Sequence, residues 1–458
     1  MTTDTPPTSP AGQHANKPRK SHQPGPEVAA SQAAAGKTHG TDHSLMPPAD
    51  DVAQTRTLPA PVFSARRLAA RKLVLLLVAT LTIMAGIIIA PSLPAIATRF
   101  ADSEHIALLS RMVLTLPSLF VALSAPLAGM LADRFGRKGL LVMAIALYGV
   151  SGASGLIADS LTALLVGRAV LGVAIGAIIT LSTALIGDYF TGAERERYLG
   201  LQQAFVQLGG VVFVMSGGLL AEVHWRMPFV IYGAALVLIP AVIYCLTEPQ
   251  RPRALHSATK LTDAPVNWLV VGTVCLLAFL INVSFYTVPS QLQFHMQALN
   301  IYNASGFGMV LGAFNLAGGM AALCFGALKR RLDTTLIFLL GFSLMAAGFG
   351  LLSAASHFGA LVLANAILGA GLGIAMPNVM STAIAHSAPA LRGRIAGMAA
   401  TSIFIGQFIS PFVSQYWVAV VGYADMFRNV GLIMATLAVL SLLPALRNGW
   451  MTLIGQKT

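Results

Sequence analysis

The chain predicts an all-α membrane protein of twelve transmembrane helices, set out as two pseudo-symmetric six-helix halves. Three observations carry that expectation. Its 458 residues are 56% hydrophobic and only 10% charged, with a mean hydropathy of +0.73, far too apolar for a soluble globule. Apolar runs of about 20 residues, the length that crosses a ~30 Å hydrocarbon core, recur from Leu73 to Leu446. Basic residues cluster on one side of those runs, as the loops of polytopic membrane proteins require.

Residues 1–64 are rich in Pro, Ala, Ser, Thr, Gly and His without apolar periodicity, a composition that reads as a disordered, cytoplasmic tail. The expected spans then follow at 73–97, 107–131, 139–158, 161–186, 199–221 and 228–247. A polar linker at 248–266 separates them from spans at 267–289, 305–328, 334–354, 358–386, 395–420 and 426–446. The halves are thus 65–247 and 267–447, and 448–458 form a short cytoplasmic tail. Gly, Pro and Asn interrupt many runs, a trait of cavity-lining bundles more than of inert anchors.

Charge sets the orientation. The segment Gly129-Met130-Leu131-Ala132-Asp133-Arg134-Phe135-Gly136-Arg137-Lys138-Gly139 lies between two apolar runs. An ionised side chain at the centre of a bilayer costs roughly 2.5–3.5 kcal/mol even on the lenient insertion scale, so this segment is a loop at a membrane face. With the N-terminus inside, the inner loops hold nineteen Lys and Arg, while the outer loops hold Arg99, Arg226 and Arg428. Both termini are therefore expected in the cytoplasm, and the +12 formal charge reflects topology, with no nucleic-acid partner implied. Cys245, Cys275 and Cys324 lie in apolar runs without metal-ligand spacing, which argues against a disulfide framework or a zinc site.

A shift of 197 residues maps one half on the other. Gly326-Ala327-Leu328-Lys329-Arg330-Arg331-Leu332-Asp333 echoes the charged loop, Arg168, Gly172 and Gly176 fall on Asn365, Gly369 and Gly373, and Gly209 falls on Gly406. One offset shared by several places argues for duplication and for a substrate path between the halves.

With these residues in view, positions 66–447 resemble the major facilitator superfamily. Gly129 to Gly139 is similar to that family's loop signature between the second and third helices, G-x-x-x-D-R-x-G-R-[KR]. Arg168 with Gly172 and Gly176 resembles its fourth-helix signature, and Trp225-Arg226-Met227-Pro228-Phe229 the junction before the sixth helix. Gly406-Gln407-Phe408-Ile409-Ser410-Pro411 is similar to the drug- and sugar-exporting branches. The resemblance implies alternating access and a conformational latch at Gly129, Asp133, Arg134, Gly136, Arg137 and Lys138, in which Asp133 pairs with cations or a helix N-terminus of the other half. Two departures stand out. Arg330 replaces Asp133 in the second copy, and Phe213-Val214 stand where the family's antiporter signature has Gly-Pro.

Candidate pathway residues are the polar side chains inside the spans. Arg168 is too deep to snorkel and needs an interior partner; it is read either as a structural Arg bonded to carbonyls or, by the resemblance, as a residue near proton or substrate movement. Arg111 is the other intramembrane cation. Gln203 and Gln207 share a face of the fifth span, and Asn282, Tyr286, Asn315, Asn365, Asn378 and Gln407 punctuate later ones, either as interhelical bonds or as cavity lining. All 17 acids lie in the tail, in loops or at span ends, so a coupling proton would have to use Asp133, Asp188, Glu222, His295 or His386.

No phosphate loop, metalloprotease helix or nucleophile elbow occurs in context, so neither an enzyme nor a cofactor is expected. The reading is a monomeric secondary transporter in the bacterial inner (plasma) membrane, moving a small organic solute, with efflux of a drug-like or metabolite substrate driven by protons. An anionic substrate such as an organic acid, siderophore or sugar acid is the alternative, drawn by Arg111 and Arg168; a transporter-like sensor using the tail is the alternative of another class.

Overall fold

The structure, a computed structural model, describes residues 65–249, 268–385 and 391–442. The two tails, nearly all of the linker and His386 lie outside the described residues. Within them every regular element is a helix, joined by short turns, because a backbone crossing hydrocarbon must satisfy every N–H and C=O within itself.

The first half opens with α1, Ala65–Ile87, which breaks at Ala90-Pro91-Ser92 and continues as Leu93–Arg99. Pro91 lacks the amide that an unbroken helix would use. Then follow α2 (Ile106–Phe135), α3 (Lys138–Ala153), α4 (Leu161–Tyr189), α5 (Gly192–Val223) and α6 (Met227–Cys245). The second half holds α7 (Trp268–Ala298), α8 (Ala304–Lys329), α9 (Thr334–Ala354) and α10 (Phe358–Ala385). Gly422, with φ +80°, divides the final 392–440 stretch into α11 (392–421) and α12 (423–440). Ten of these helical stretches are long and apolar enough to cross a membrane, the last of them containing both α11 and α12. With the broken α1 they make up the twelve expected spans.

The duplication is visible in packing. Helix α4 lies on α2, and α10 lies on α8, the equivalent pair. Gly172 and Gly176 let α4 meet the Pro117 carbonyl and Ser124, and Gly369 and Gly373 let α10 meet the carbonyls of Phe314 and Gly318. These glycines are helix contacts, as small residues usually are in membrane bundles. The halves meet along two seams, α2 with α11 and α5 with α8.

Candidate functional site

The two ends of the interface differ. We call the end bearing the 129–139 loop the basic face, since Lys329, Arg330, Arg331 and Arg394 accompany Arg134, Arg137 and Lys138 there. At the opposite face the halves are sealed. Tyr302, in the α7–α8 turn, donates its hydroxyl to the Pro91 carbonyl in the break of α1. Burial, with the Glu222 carboxylate adding to it, raises the Tyr302 phenol above its ordinary value, so it remains a donor. Glu222, at the end of α5, accepts from the amide and hydroxyl of Ser305. Arg111 completes the seal. Its guanidinium donates to Gln291 on α7 (2.8 Å) and to the Tyr423 hydroxyl (3.5 Å), and stacks 3.9 Å over the Phe294 ring. Gln291 in turn donates to Ser414 on α11 at 2.9 Å.

Toward the basic face the seam parts around a cavity of about 780 Å³ between α2, α4, the start of α5 and α11, within the range of small-molecule sites. Val121, Ala122, Ile179 and Phe404 supply apolar wall; Thr180, Thr183 and Thr401 supply hydroxyls. Charge enters at the mouth, through Arg195 and an ion pair of Arg137 with Asp188. One helical turn deeper than Val121 and Phe404, a polar chain crosses the seam. Ser118 on α2 donates to Gln407 on α11 (2.8 Å), and Gln407 donates to Asn282 on α7 (3.3 Å). Tyr286, one turn along α7, bonds Ser118 as well.

The structure therefore brings Asn282, Tyr286 and Gln407 together and separates the other candidates. Arg111 sits in the sealed face. Arg168 is fully buried inside the first half, where it donates to the Gly152 carbonyl on α3 (2.8 Å) and faces Phe229 and Tyr232 of α6. That is the carbonyl-bonded geometry. Asn365, its repeat equivalent, is buried in the second half and donates to Leu361 of its own helix. Asn378 accepts from Lys329 and donates to the Thr334 carbonyl, bracing the α8–α9 turn. Gln207 packs near Gly319, and Asn315 near Gly210, along the α5–α8 seam, while Gln203 is exposed.

In the basic-face loop, Gly136 takes φ +96°, and a side chain there would press on the Glu248 carboxylate. That carboxylate accepts the amides of Arg137 (2.6 Å) and Lys138 (2.8 Å), capping α3. Arg137 bonds the Ala184 carbonyl as well as Asp188, and Lys138 donates to the Ile243 carbonyl. Two of the loop's cations, Arg137 and Lys138, are thus tied to α4 and α6 of their own half; Asp133 and Arg134 lie beside them at the end of α2. Sequence reasoning missed Ser118, Ser414, Tyr423 and Glu248. A serine in an apolar run carries no positional signal, and Glu248 reads as one more linker acid.

Comparison with known proteins matches the model of the Major Facilitator Superfamily at residues 75–305 and 274–449. The chain belongs to the Major Facilitator Superfamily. Relatives include the class B tetracycline resistance protein of Escherichia coli, 27% identical over 370 residues, covering 76% of this chain and 91% of that protein. Multidrug resistance protein 1 of Bacillus subtilis is 36% identical over 129 residues, 28% of this chain and 33% of that one. Among solved structures, the D-xylose-proton symporter superposes with a TM-score of 0.68 at 14% identity, over 82% of this chain and 97% of its own. A bacterial homologue of the human lysosomal transporter Spinster, inward-facing and occupied, gives 0.64 at 18% identity over 83% and 96%. At these identities the likeness to solved structures is one of fold. The protein is accordingly a multi-pass membrane transporter of the superfamily.

Proposed function

We propose that this superfamily transporter exports a small amphipathic solute, drug-like or metabolic, by rocking its halves about the α2–α11 and α5–α8 seams, with proton entry as the driving force. One observation carries the reading: the cavity between the halves is apolar with scattered hydroxyls and lies toward the basic face, one helical turn from the Ser118–Gln407–Asn282 chain, while Tyr302 and Ser305 tie the halves together at the opposite face. The nineteen-to-three charge bias makes the basic face cytoplasmic, the loading side for an exporter in the inner membrane, with both termini inside. The names of the tetracycline and multidrug resistance relatives support efflux. Asp133 acts as a latch by meeting the N-terminus of α11 when the cytoplasmic face shuts.

Arg195 favours a second reading. It lines the cavity mouth while Asp188, the one acid there, is taken by Arg137, leaving a net positive wall suited to an anionic solute.

Proteoliposomes separate the two. Under an imposed pH gradient, tetracycline accumulation that is lost in Gln407→Ala supports proton-driven export through this cavity; gradient-independent movement of an organic anion such as citrate, with tetracycline inert, supports the anion reading. Asp133→Asn should slow turnover and leave tetracycline affinity intact. Unchanged turnover removes the latch.

A further inference from the structure

At the sealed face a second pocket, of about 340 Å³, lies between the halves. Ser92 and Thr98 of the broken α1 and Glu222 of α5 line one side, and Gln297 and Tyr302, at and just beyond the end of α7, line the other. Its volume is at the small end of ligand sites. Its charge is opposite to that of the cavity at the basic face: Glu222 is the one charged residue lining it, whereas Arg137 and Arg195 line the other.

The polar atoms of this pocket are acceptors that other bonds leave over. Capping α8 accounts for a single oxygen of Glu222, because both bonds from Ser305 end on Oε1. No hydrogen bond or ion pair among the described residues engages Oε2. The three arginines of this face do not neutralise it, since Arg226 pairs with Asp159, Arg428 pairs with Asp425, and Arg99 stacks on Phe100. Tyr302 donates its hydrogen to the Pro91 carbonyl and keeps its lone pairs; Glu222 acts on it electrostatically, yet no bond joins the two. Ser92 is 1% exposed, and its hydroxyl is buried without a partner. A buried hydroxyl left so costs about 1–3 kcal/mol. Three acceptors, one of them carrying an unneutralised charge, thus share one small pocket and have no donor between them.

A primary ammonium suits that set: it brings three N–H donors, one positive charge and no acceptor of its own. Pro94, Ala95, Ala221 and Ala304 make up apolar wall, which accommodates a short hydrocarbon chain. A divalent metal ion, seeking six or more oxygens, fits such a wall poorly.

We infer that this pocket binds a primary ammonium ion on a short apolar chain, either a free amine or the ammonium of a lipid headgroup, and that its occupation holds the sealed face shut. Both halves supply wall, so the site is whole only while they meet there. A ligand that binds one state alone favours it by mass action. Nothing in this site depends on the direction of transport or on protons.

The test uses full-length protein with the native cysteines changed to serine, in nanodiscs of phosphatidylcholine and phosphatidylglycerol, which carry no primary ammonium. Thr98→Cys, exposed and in the pocket wall, is alkylated with iodoacetamide at pH 7 and constant ionic strength. Propylammonium should slow the reaction at least fivefold; tetramethylammonium, with the same charge and no N–H, should leave it unchanged. In the same background Glu222→Gln should abolish the protection, and Ser92→Ala should raise the propylammonium midpoint at least fivefold. Slowing in phosphatidylethanolamine nanodiscs without added amine assigns the site to the headgroup, and slowing by propylammonium alone assigns it to a free amine. Absence of protection from both sources overturns the inference, as does equal protection by tetramethylammonium or full protection retained in Glu222→Gln. Should Thr98→Cys fail to fold, Ala95→Cys replaces it. The hold on the seal is read from spin labels on Ala101→Cys and Ala298→Cys, which lie in opposite halves at this face. The protecting amine should raise the ratio of short to long distances at least threefold, and an unchanged ratio overturns the hold.

Discussion

Ser305, the second residue of α8, donates its amide (3.2 Å) and its hydroxyl (2.5 Å) to the carboxylate of Glu222 at the end of α5. A carboxylate of one half thereby sits at the positive N-terminus of a helix from the other. The sequence pointed to such a device at Asp133; the structure has one formed at the opposite, sealed face. Removing the charge in Glu222→Gln should cost about 0.3–1 kcal/mol of closure, a two- to fivefold loss of the sealed population. The distance between labels at Ala101 and Ala298 reads this directly, and an unaltered distribution would rule the contact out as a latch.

Gly136 and Glu248 form a unit. The φ of +96° favours glycine, and the site of a Gly136 side chain lies 3.0 Å from the Glu248 carboxylate that caps α3. Gly136→Ala should destabilise by about 1–2 kcal/mol, and Glu248→Ala by a comparable amount through two freed amides. Because both act on one contact, the double variant should lose less than the two together. Thermal unfolding followed by tryptophan fluorescence checks it; strict additivity would show the two to be independent.

Gly369 and Gly172 occupy equivalent contacts. A methyl at Gly369 meets the Phe314 carbonyl, and one at Gly172 meets that of Pro117. Each Ala substitution should cost about 1–3 kcal/mol from overpacking. Gly272→Ala, with open space at its side-chain position, should be neutral or slightly stabilising. Size-exclusion profiles after graded heating rank the three; equal survival would contradict the packing.

Arg168 bonds the Gly152 carbonyl and faces two aromatic rings within one half. Arg168→Ala should remove about 1.5–3 kcal/mol for the charge-assisted bond alone, with Arg168→Lys intermediate because an ammonium lacks the flat guanidinium face. If Arg168→Ala keeps wild-type stability and still abolishes transport, the residue serves the proton or substrate path and not the scaffold.

The fold was largely legible. The twelve spans follow from rules that act locally, whereas the break at Pro91 falls inside a first span that the sequence read as continuous over 73–97. Gly172 and Gly369, paired by the 197-residue shift, are found at matching helix crossings. The site was half legible: Asn282, Tyr286 and Gln407 were singled out and do converge, but so were Gln203, Asn365 and Asn378, which stand apart from them.

Sequence by itself determined the spans, the basic face and the duplication, because hydrocarbon penalises each charge and each unpaired backbone group wherever it falls. Tertiary structure alone decided which polar side chains meet. These helices are apolar on nearly every side, so no amphipathic stripe announces which face turns inward. Ser118 finds Gln407 across 289 residues, and His295 finds Tyr423 only because Gly422 bends the chain. Which face is sealed belongs to the same level, since it depends on contacts between halves that either half, read alone, leaves open.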